Sequence, residues 1–183
     1  VEAGCARLDR RLPEAIVNGA SSKLKTLVVV HSYHHGNTRK VAEAMAEVLG
    51  AQVRTPREID IGELGSFDLA GFGSGIDSDN HYGPLLDLAD RLPGSAGKKA
   101  FIFSTSGAPE ALLGRRFIQR YSEKCHARLR STLASKGYAI LGEFICAGFN
   151  TNSFLKSFGG LNRGRPSAAD LEKARAFARN LAG

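Results

Sequence analysis

The run Leu27-Val28-Val29-Val30-His31-Ser32-Tyr33-His34-His35-Gly36-Asn37-Thr38-Arg39-Lys40-Val41-Ala42 changes character at its middle. Thr26 to His31 is β-branched and apolar, the composition of a strand buried on both sides. His34-His35-Gly36-Asn37 is a turn. From Thr38 to about Leu49 the apolar residues Val41, Met45, Val48 and Leu49 fall on one helical face, and Gly50 stops the helix. Between strand and helix lie two hydroxyls, Ser32 and Thr38, an amide, Asn37, and a glycine, Gly36. Backbone N–H groups at a helix start lack intrahelical acceptors and attract anions. Small polar side chains around them favour a phosphate group. The loop is neither GxxxxGK[ST], which would supply a lysine for a triphosphate, nor GxGxxG, the dinucleotide fingerprint. An ordinary turn and helix start is the plainer reading of the same residues. His34 and His35 are adjacent, so their side chains diverge, and no carboxylate or cysteine accompanies them; no metal site is expected.

Outward from this run the pattern alternates. Ala51 to Arg54 reads as a second strand. Phe67 to Phe72 reads as a third, closed by Gly73-Ser74-Gly75. Pro84 to Leu92 reads as a helix. Lys99 to Ser104 is a fourth strand, followed by Thr105-Ser106-Gly107. Arg115 to Lys136 is a long helix with an apolar stripe of Phe117, Tyr121, Cys125, Leu129 and Leu133, ended by Gly137. Tyr138 to Cys146 is a fifth strand. A glycine-rich loop then runs to Pro166. A last helix opens at Ser167-Ala168-Ala169-Asp170, a capping box with Asp in place of Glu or Gln, and turns Leu171, Ala174, Ala178 and Leu181 inward. Strands alternating with helices predict an α/β fold with a parallel sheet covered on both faces. Ligands of such sheets bind beyond the carboxyl ends of the strands, at the switch in strand order. The loops after strands one, three and four are therefore the ones to inspect.

The chain has 183 residues, enough for one domain and a sizeable core. Hydrophobic residues are 43% and charged residues 23%, the balance of a soluble globular protein. No apolar run approaches the ~20 residues of a membrane span. Residues 1–24 read as a leader ending in the linker-like Asn18-Gly19-Ala20-Ser21-Ser22, with residues 25–183 as the domain. Cys5, Cys125 and Cys146 are odd in number and widely spaced, so reduced thiols in a cytoplasm are expected.

The net charge of +7 is concentrated. Residues 115–136 hold Arg115, Arg116, Arg120, Lys124, Arg128, Arg130 and Lys136 against Glu123. Arg116, Arg120, Lys124 and Arg128 step by four and form one stripe. Most such stripes are solvated faces; the functional readings are an acidic redox partner or an anionic membrane surface. No binding motif or aromatic row accompanies the charge, which disfavours nucleic acid.

The segment Ser32 to Ala42, directly after its apolar strand, resembles the FMN phosphate loop of the flavodoxin family, and is most similar to a branch with two histidines before Gly-Asn-Thr. Phe67 to Ile76 resembles that branch's third strand and second flavin loop, and Lys99 to Gly107 its fourth strand and third loop. Cys146-Ala147-Gly148-Phe149 and Gly164-Arg165-Pro166 match further landmarks. The resemblance covers about residues 25–182. It implies a flavodoxin-like doubly wound five-stranded parallel sheet, order 2-1-3-4-5, with helices on both faces and FMN at its edge. By motif position Ser32, His34, Gly36, Asn37 and Thr38 would hold the phosphate. Ser74, Gly75 and Ile76 would face the isoalloxazine ring, and Thr105, Ser106 and Gly107 its polar edge.

Two departures stand out. Many flavodoxins stack the flavin between Trp and Tyr, and this chain has no Trp; His81, Tyr82 and Tyr33 are the candidate substitutes. Carrier flavodoxins are usually acidic, and this chain is basic. The expected function is an FMN-dependent redox protein: an electron carrier, or a small reductase or oxidase acting on a quinone or porphyrin-like substrate. Its partner would be a redox protein or a small-molecule electron donor or acceptor. No nucleophile–base pair or paired carboxylate is apparent, so no catalytic side chain is assigned. The alternative is a domain that kept the fold, lost the flavin and works through the basic helix.

Overall fold

A computed structural model describes residues 24–108, 110–151 and 159–182. The leader expected over residues 1–24, with Cys5, lies outside the described residues except for Leu24. So does the central part of the glycine-rich loop, and the side chains of Arg115, Arg116 and Phe117 are likewise not described.

The strands are β1 Thr26–His31, β2 Gln52–Arg54, β3 Leu69–Asp77, β4 Asn80–His81, β5 Lys99–Ser106 and β6 Ala139–Ala147; the helices are α1 Asn37–Leu49, α2 Ile61–Leu64, α3 Gly83–Arg91, α4 Glu110–Ser135 and α5 Ala168–Ala182. The sheet order is β2-β1-β3-β5-β6, all parallel, with β4 paired antiparallel to β3. Counting the five long strands alone, this is the expected 2-1-3-4-5. Three features differ from expectation. β3 does not close at Gly73 but runs to Asp77. A tight turn at Ser78 and Asp79, both at positive φ, then returns the chain as β4. A type I′ hairpin loop needs both of its two residues left-handed, a conformation that Asp tolerates better than most residues and that Ser78 shares here. Finally, α4 starts at Glu110, one turn before Arg115.

Alternate residues of a strand serve opposite faces. Leu27 and Val29 of β1 join Phe72, Ile102, Leu85, Leu88, Leu129 and Leu133 beneath α3 and α4. Val28 and Val30 join Phe101, Phe103, Val41, Met45, Ala174 and Ala178 beneath α1 and α5. The stripe expected on α4 lies inward at Cys125, Leu129 and Leu133. In α5, Ser167 and Asp170 exchange hydrogen bonds as the capping box requires, Ser167 N–H to Asp170 Oδ2 at 2.7 Å and Asp170 N–H to Ser167 Oγ at 3.3 Å. At the edge strand β6 the register slips between Ala100 and Phe101 of its neighbour, and the extra residue, Leu141, turns outward. Among the described residues no helix is long and apolar enough to cross a membrane.

The alternation Gly71-Phe72-Gly73-Ser74-Gly75 in β3 reflects a close approach. A Cβ at Gly73 would fall 2.3 Å from the Phe103 ring, and one at Gly71 2.2 Å from Phe101. The neighbouring strand's phenylalanines lie flat over the glycine side of β3, where they occupy the space of absent side chains. Gly73→Ala should therefore destabilise the fold by about 1–3 kcal/mol through overpacking. A lowered urea midpoint checks this; an unchanged midpoint would show that Phe103 swings aside freely.

Candidate functional site

The carboxyl ends of β1, β3, β5 and β6 converge on one cleft. From the first loop come Ser32, Tyr33, His34, Asn37 and Thr38. β3 supplies Gly75 and Ile76, the start of α3 supplies Tyr82, and the end of β5 supplies Thr105, Ser106 and Gly107. Gly148, Phe149 and Asn150 follow β6. Thus Ser32, His34, Asn37, Thr38, Gly75, Ile76, Thr105, Ser106 and Gly107, scattered through the sequence, are brought together.

The first loop turns on two successive left-handed residues, His35 (φ 54) and Gly36 (φ 65). That conformation is uncommon for a histidine. His35 is held in it from across the cleft, its Nε2 2.8 Å from Thr151 Oγ1 and its ring 4.6 Å from that of Phe149. Gly36 is the residue before α1 and brings no side-chain cap. The first turn contains no acid, and Arg39 and Lys40 stand exposed there. Cations at a helix N-terminus are unfavourable on their own. They suit a helix start whose amides face an anion.

Gly36 does not line the cleft, and a Cβ there would meet nothing within 4 Å. Its left-handed φ of 65° is itself a reason for glycine at this position. The close approaches lie elsewhere. A Cβ at Gly107 would fall 2.3 Å from Asn150 Nδ2, one at Gly148 3.0 Å from Asn37 Nδ2, and one at Gly75 2.8 Å from the Tyr82 ring.

Thr38 Oγ1 and Thr105 Oγ1 share a hydrogen bond of 2.8 Å, and Asn37 Nδ2 donates to Phe149 O at 2.8 Å. Among the described residues Ser32 Oγ and Asn37 Oδ1 are buried without a hydrogen-bond partner. Buried polar atoms without partners are costly, so such orphans mark a place where a polar ligand belongs. One wall is aromatic: the His31 and Tyr82 rings are 5.6 Å apart, Tyr33 and Tyr82 6.4 Å, Tyr33 and His34 4.6 Å. Burial and the nearby Arg57 hold the His31 imidazole below its ordinary range, and burial with Asp77 pushes the Tyr82 phenol up. Both rings therefore stay uncharged near neutrality.

Two expected residues lie elsewhere. Ser74 is fully buried on the α4 side of β3. Its Oγ is 2.7 Å from Gly75 O, 2.8 Å from His81 Nδ1, and 3.1 Å from the Tyr82 N–H that donates to it. His81 is no stacking surface for the cleft; it lies beneath the sheet rim, its ring centroid 5.0 Å from that of His126. His126 Nε2 is 2.8 Å from Ser104 Oγ, and its Nδ1 is 2.9 Å from Glu143 Oε2. Arg130 grips both oxygens of Glu143. Serine, histidine and carboxylate thus stand in nucleophile–base order, an arrangement the sequence did not reveal. Ser104 and His126 are both fully buried, out of reach of any substrate, so this chain holds structure together.

Partial burial pushes the Glu143 carboxyl up, but the hydrogen bonds and charges of Arg130 and His126 outweigh it and bring it down to about 2. Burial, helped by His126 and opposed by Glu143, lowers the His81 imidazole to about 3. On the outer face of α4, Lys124 pairs with Asp79 at 2.6 Å and Arg128 with Asp90 at 3.3 Å. The expected basic stripe is thus partly neutralised by its neighbours.

Among solved structures, a flavodoxin of Streptococcus pneumoniae is 16% identical, with a TM-score of 0.59 over 86% of this chain and 97% of its own. Oxidised flavodoxin 2 from Bacillus cereus is 18% identical, with a TM-score of 0.57 over 85% and 95%. A flavodoxin-like WrbA-like protein from Agrobacterium tumefaciens is 18% identical, with a TM-score of 0.57 over 86% and 95%. The chain is an α/β protein of flavodoxin-like fold. No family model matches it. "Uncharacterized protein MJ0298" of Methanocaldococcus jannaschii is 39% identical over 158 residues, 86% of this chain and 98% of that protein, and the chain belongs to the same family.

The buried network makes stability acid-sensitive. His81 takes up a proton near pH 6.5 when unfolded and near 3 when folded, so the unfolded state binds more protons between those values. Stability should fall as the pH drops from about 6.5 toward 3, and the Glu143 contribution is lost further down as the pH approaches 2. Between pH 7 and pH 4 the loss due to His81 should be at most about 3 kcal/mol, and smaller where the folded protein itself takes up the proton. Urea unfolding at the two pH values reads it, and His81→Phe should remove most of it. Equal pH dependence in both proteins would contradict the assignment to His81.

Proposed function

We propose that the cleft binds FMN and that the protein is a flavin-dependent redox protein of the flavodoxin type, with a phosphate loop of the His-His-Gly-Asn-Thr kind. The observation that carries this reading is the uncapped start of α1, with the Thr38 hydroxyl and the partnerless Ser32 Oγ beside it. An orphaned hydroxyl beside free helix amides fits a phosphoryl group, which brings several strong acceptors and negative charge. Asn37 Oδ1 is itself an acceptor and suits a donor, not the phosphoryl oxygens. The flavodoxins that share this fold support the choice of ligand, as does a structural neighbour described as an NADH:FMN oxidoreductase, 19% identical with a TM-score of 0.54.

Ser32, Thr38 and the first amides of α1 would hold the phosphate, with His34 at the rim, while the Asn37 side chain, donating to Phe149 O, would brace the loop. Tyr82 and Tyr33 would flank the ring from one side, in place of the missing Trp. Gly75, Ile76, Thr105, Ser106 and Gly107 would meet its edge. When bound, FMN supplies one- or two-electron redox chemistry. The residues around it position the ring, exclude water from one face and tune its potential through the dielectric of the aromatic wall. The electron donor and acceptor would be a partner protein or a small molecule. An acidic partner is the natural fit for Arg120 on the exposed face of α4.

Purified protein should be yellow, or become so on addition of FMN. Thr38→Val should weaken FMN binding about ten- to a hundredfold, the equivalent of one charge-assisted hydrogen bond of ~1.5–3 kcal/mol. Fluorescence titration of the flavin-free protein measures this. Unchanged affinity would remove Thr38 from the site, and colourless protein that ignores added FMN would favour a flavin-free interaction domain.

A further inference from the structure

Behind the Tyr82 wall the structure places two buried imidazoles against each other, their centroids 5.0 Å apart and their planes tilted by 30°, and the chain connects His81 directly to the cleft. His81 is the last residue of β4, and Tyr82, which follows it, closes against Gly75. Ser74 Oγ stands between them: it accepts from the Tyr82 N–H at 3.1 Å and meets His81 Nδ1 at 2.8 Å, while its own proton is directed at Gly75 O, 2.7 Å away. With its proton so used, Ser74 is an acceptor toward both neighbours. That makes His81 Nδ1 the donor and leaves Nε2 as a bare acceptor. His81 is 3% exposed, and Nε2 has no partner among the described residues.

We propose that the buried pair His81 and His126 positions Tyr82 in the cleft, and that proton uptake by His81 releases this wall and with it the ring of the bound ligand. The ligand part rests on the FMN reading above.

The surroundings explain the direction. A proton on Nε2 would find no acceptor among the described residues. The charge would stand beside the His126 ring at 5.0 Å, with Arg130 of the same helix behind it. Glu143 of β6 favours such a charge, but its carboxylate is already engaged by His126 and Arg130. From β3 comes the neutral hydroxyl of Ser74. Asp79, in the turn, is engaged by Lys124. The charged ring is therefore better placed in water, and the path out is short. β4 is two residues long and pairs with β3 through Ile76↔His81 and Asp77↔Asn80. Its tie to α4 through Lys124 and Asp79 is an exposed ion pair, a weak latch. An opened hairpin in which His81 titrates ordinarily gains on the closed one by roughly thirtyfold between neutral pH and pH 5.

The test uses the full-length chain at pH 7.5 and pH 5, comparing wild type with His81→Asn, which keeps a donor for Ser74 but cannot be protonated. His81→Phe, which keeps a ring against His126, is a second variant should the first not fold. Two readouts are taken. The first is NMR of the Tyr82 ring without ligand, assigned with Tyr82→Phe. The expected result is that the ring's resonances shift in wild type on acidification and stay in place in the variant. The second is FMN affinity, expected to weaken by roughly three- to thirtyfold in wild type and to stay nearly level in the variant. Tyr82 resonances that do not move in wild type, or that move equally in the variant, would overturn the proposal. If FMN binds at neither pH, the flavin reading fails, and the Tyr82 resonances alone decide the positioning role.

Discussion

Helix α1 begins without a side-chain cap, and the rest of the cleft is arranged around the hydrogen bonds that this leaves open. The residue before it is a left-handed glycine, the first turn holds no acid, and Arg39 and Lys40 sit where the helix field disfavours them. A helix start of that kind is poorly stabilised unless something negative joins it. The parallel sheet sets its position. β1 is an interior strand buried along its length, so it ends at a fixed point, and the loop from His31 starts there. The same geometry delivers Thr105 from β5 to Thr38, and Phe149 from beyond β6 to Asn37.

The two faces of the sheet solve different problems beneath this rim. On the α1 and α5 side, glycines in β3 admit the rings of Phe101 and Phe103, and the packing is apolar up to the threonines of the cleft. On the α3 and α4 side the core becomes polar near the carboxyl ends, where Ser74 and Ser104 sit side by side in register. Their hydroxyls are satisfied by His81 and His126, and His126 in turn by Glu143 and Arg130. A buried network of this kind is favourable when every member is paired and costly where one is not. Nε2 of His81 is the place where it is not. This unpaired atom thus lies one residue from the cleft wall.

Much of this was legible in the sequence where information is local. The β-branched run of β1, the periodicity of α1 and the capping box at Ser167 each need only a few neighbouring residues, and they lead to the right topology. The loop residues Ser32, Asn37 and Thr38 were legible for the same reason. Ser74 was misplaced because Gly73-Ser74-Gly75 has the composition of a turn. The glycines are there for the phenylalanines of β5, thirty residues on in the chain, and no local pattern carries that fact. His81 looked like a loop residue because β4 is too short to show a period. Ser104, His126 and Glu143 meet through tertiary structure alone. Gly148 and Asn150 lie in the loop after β6, outside the loops that the switch in strand order singles out.

The central claim is that a phosphate group, held at the start of α1, anchors the ligand. Titrating the flavin-free protein with FMN and with riboflavin, which lacks the phosphate, tests it most directly. The account predicts that FMN binds tighter by on the order of a hundredfold or more, the contribution of several charge-assisted hydrogen bonds. Equal affinity for the two flavins, or binding of neither, would contradict it.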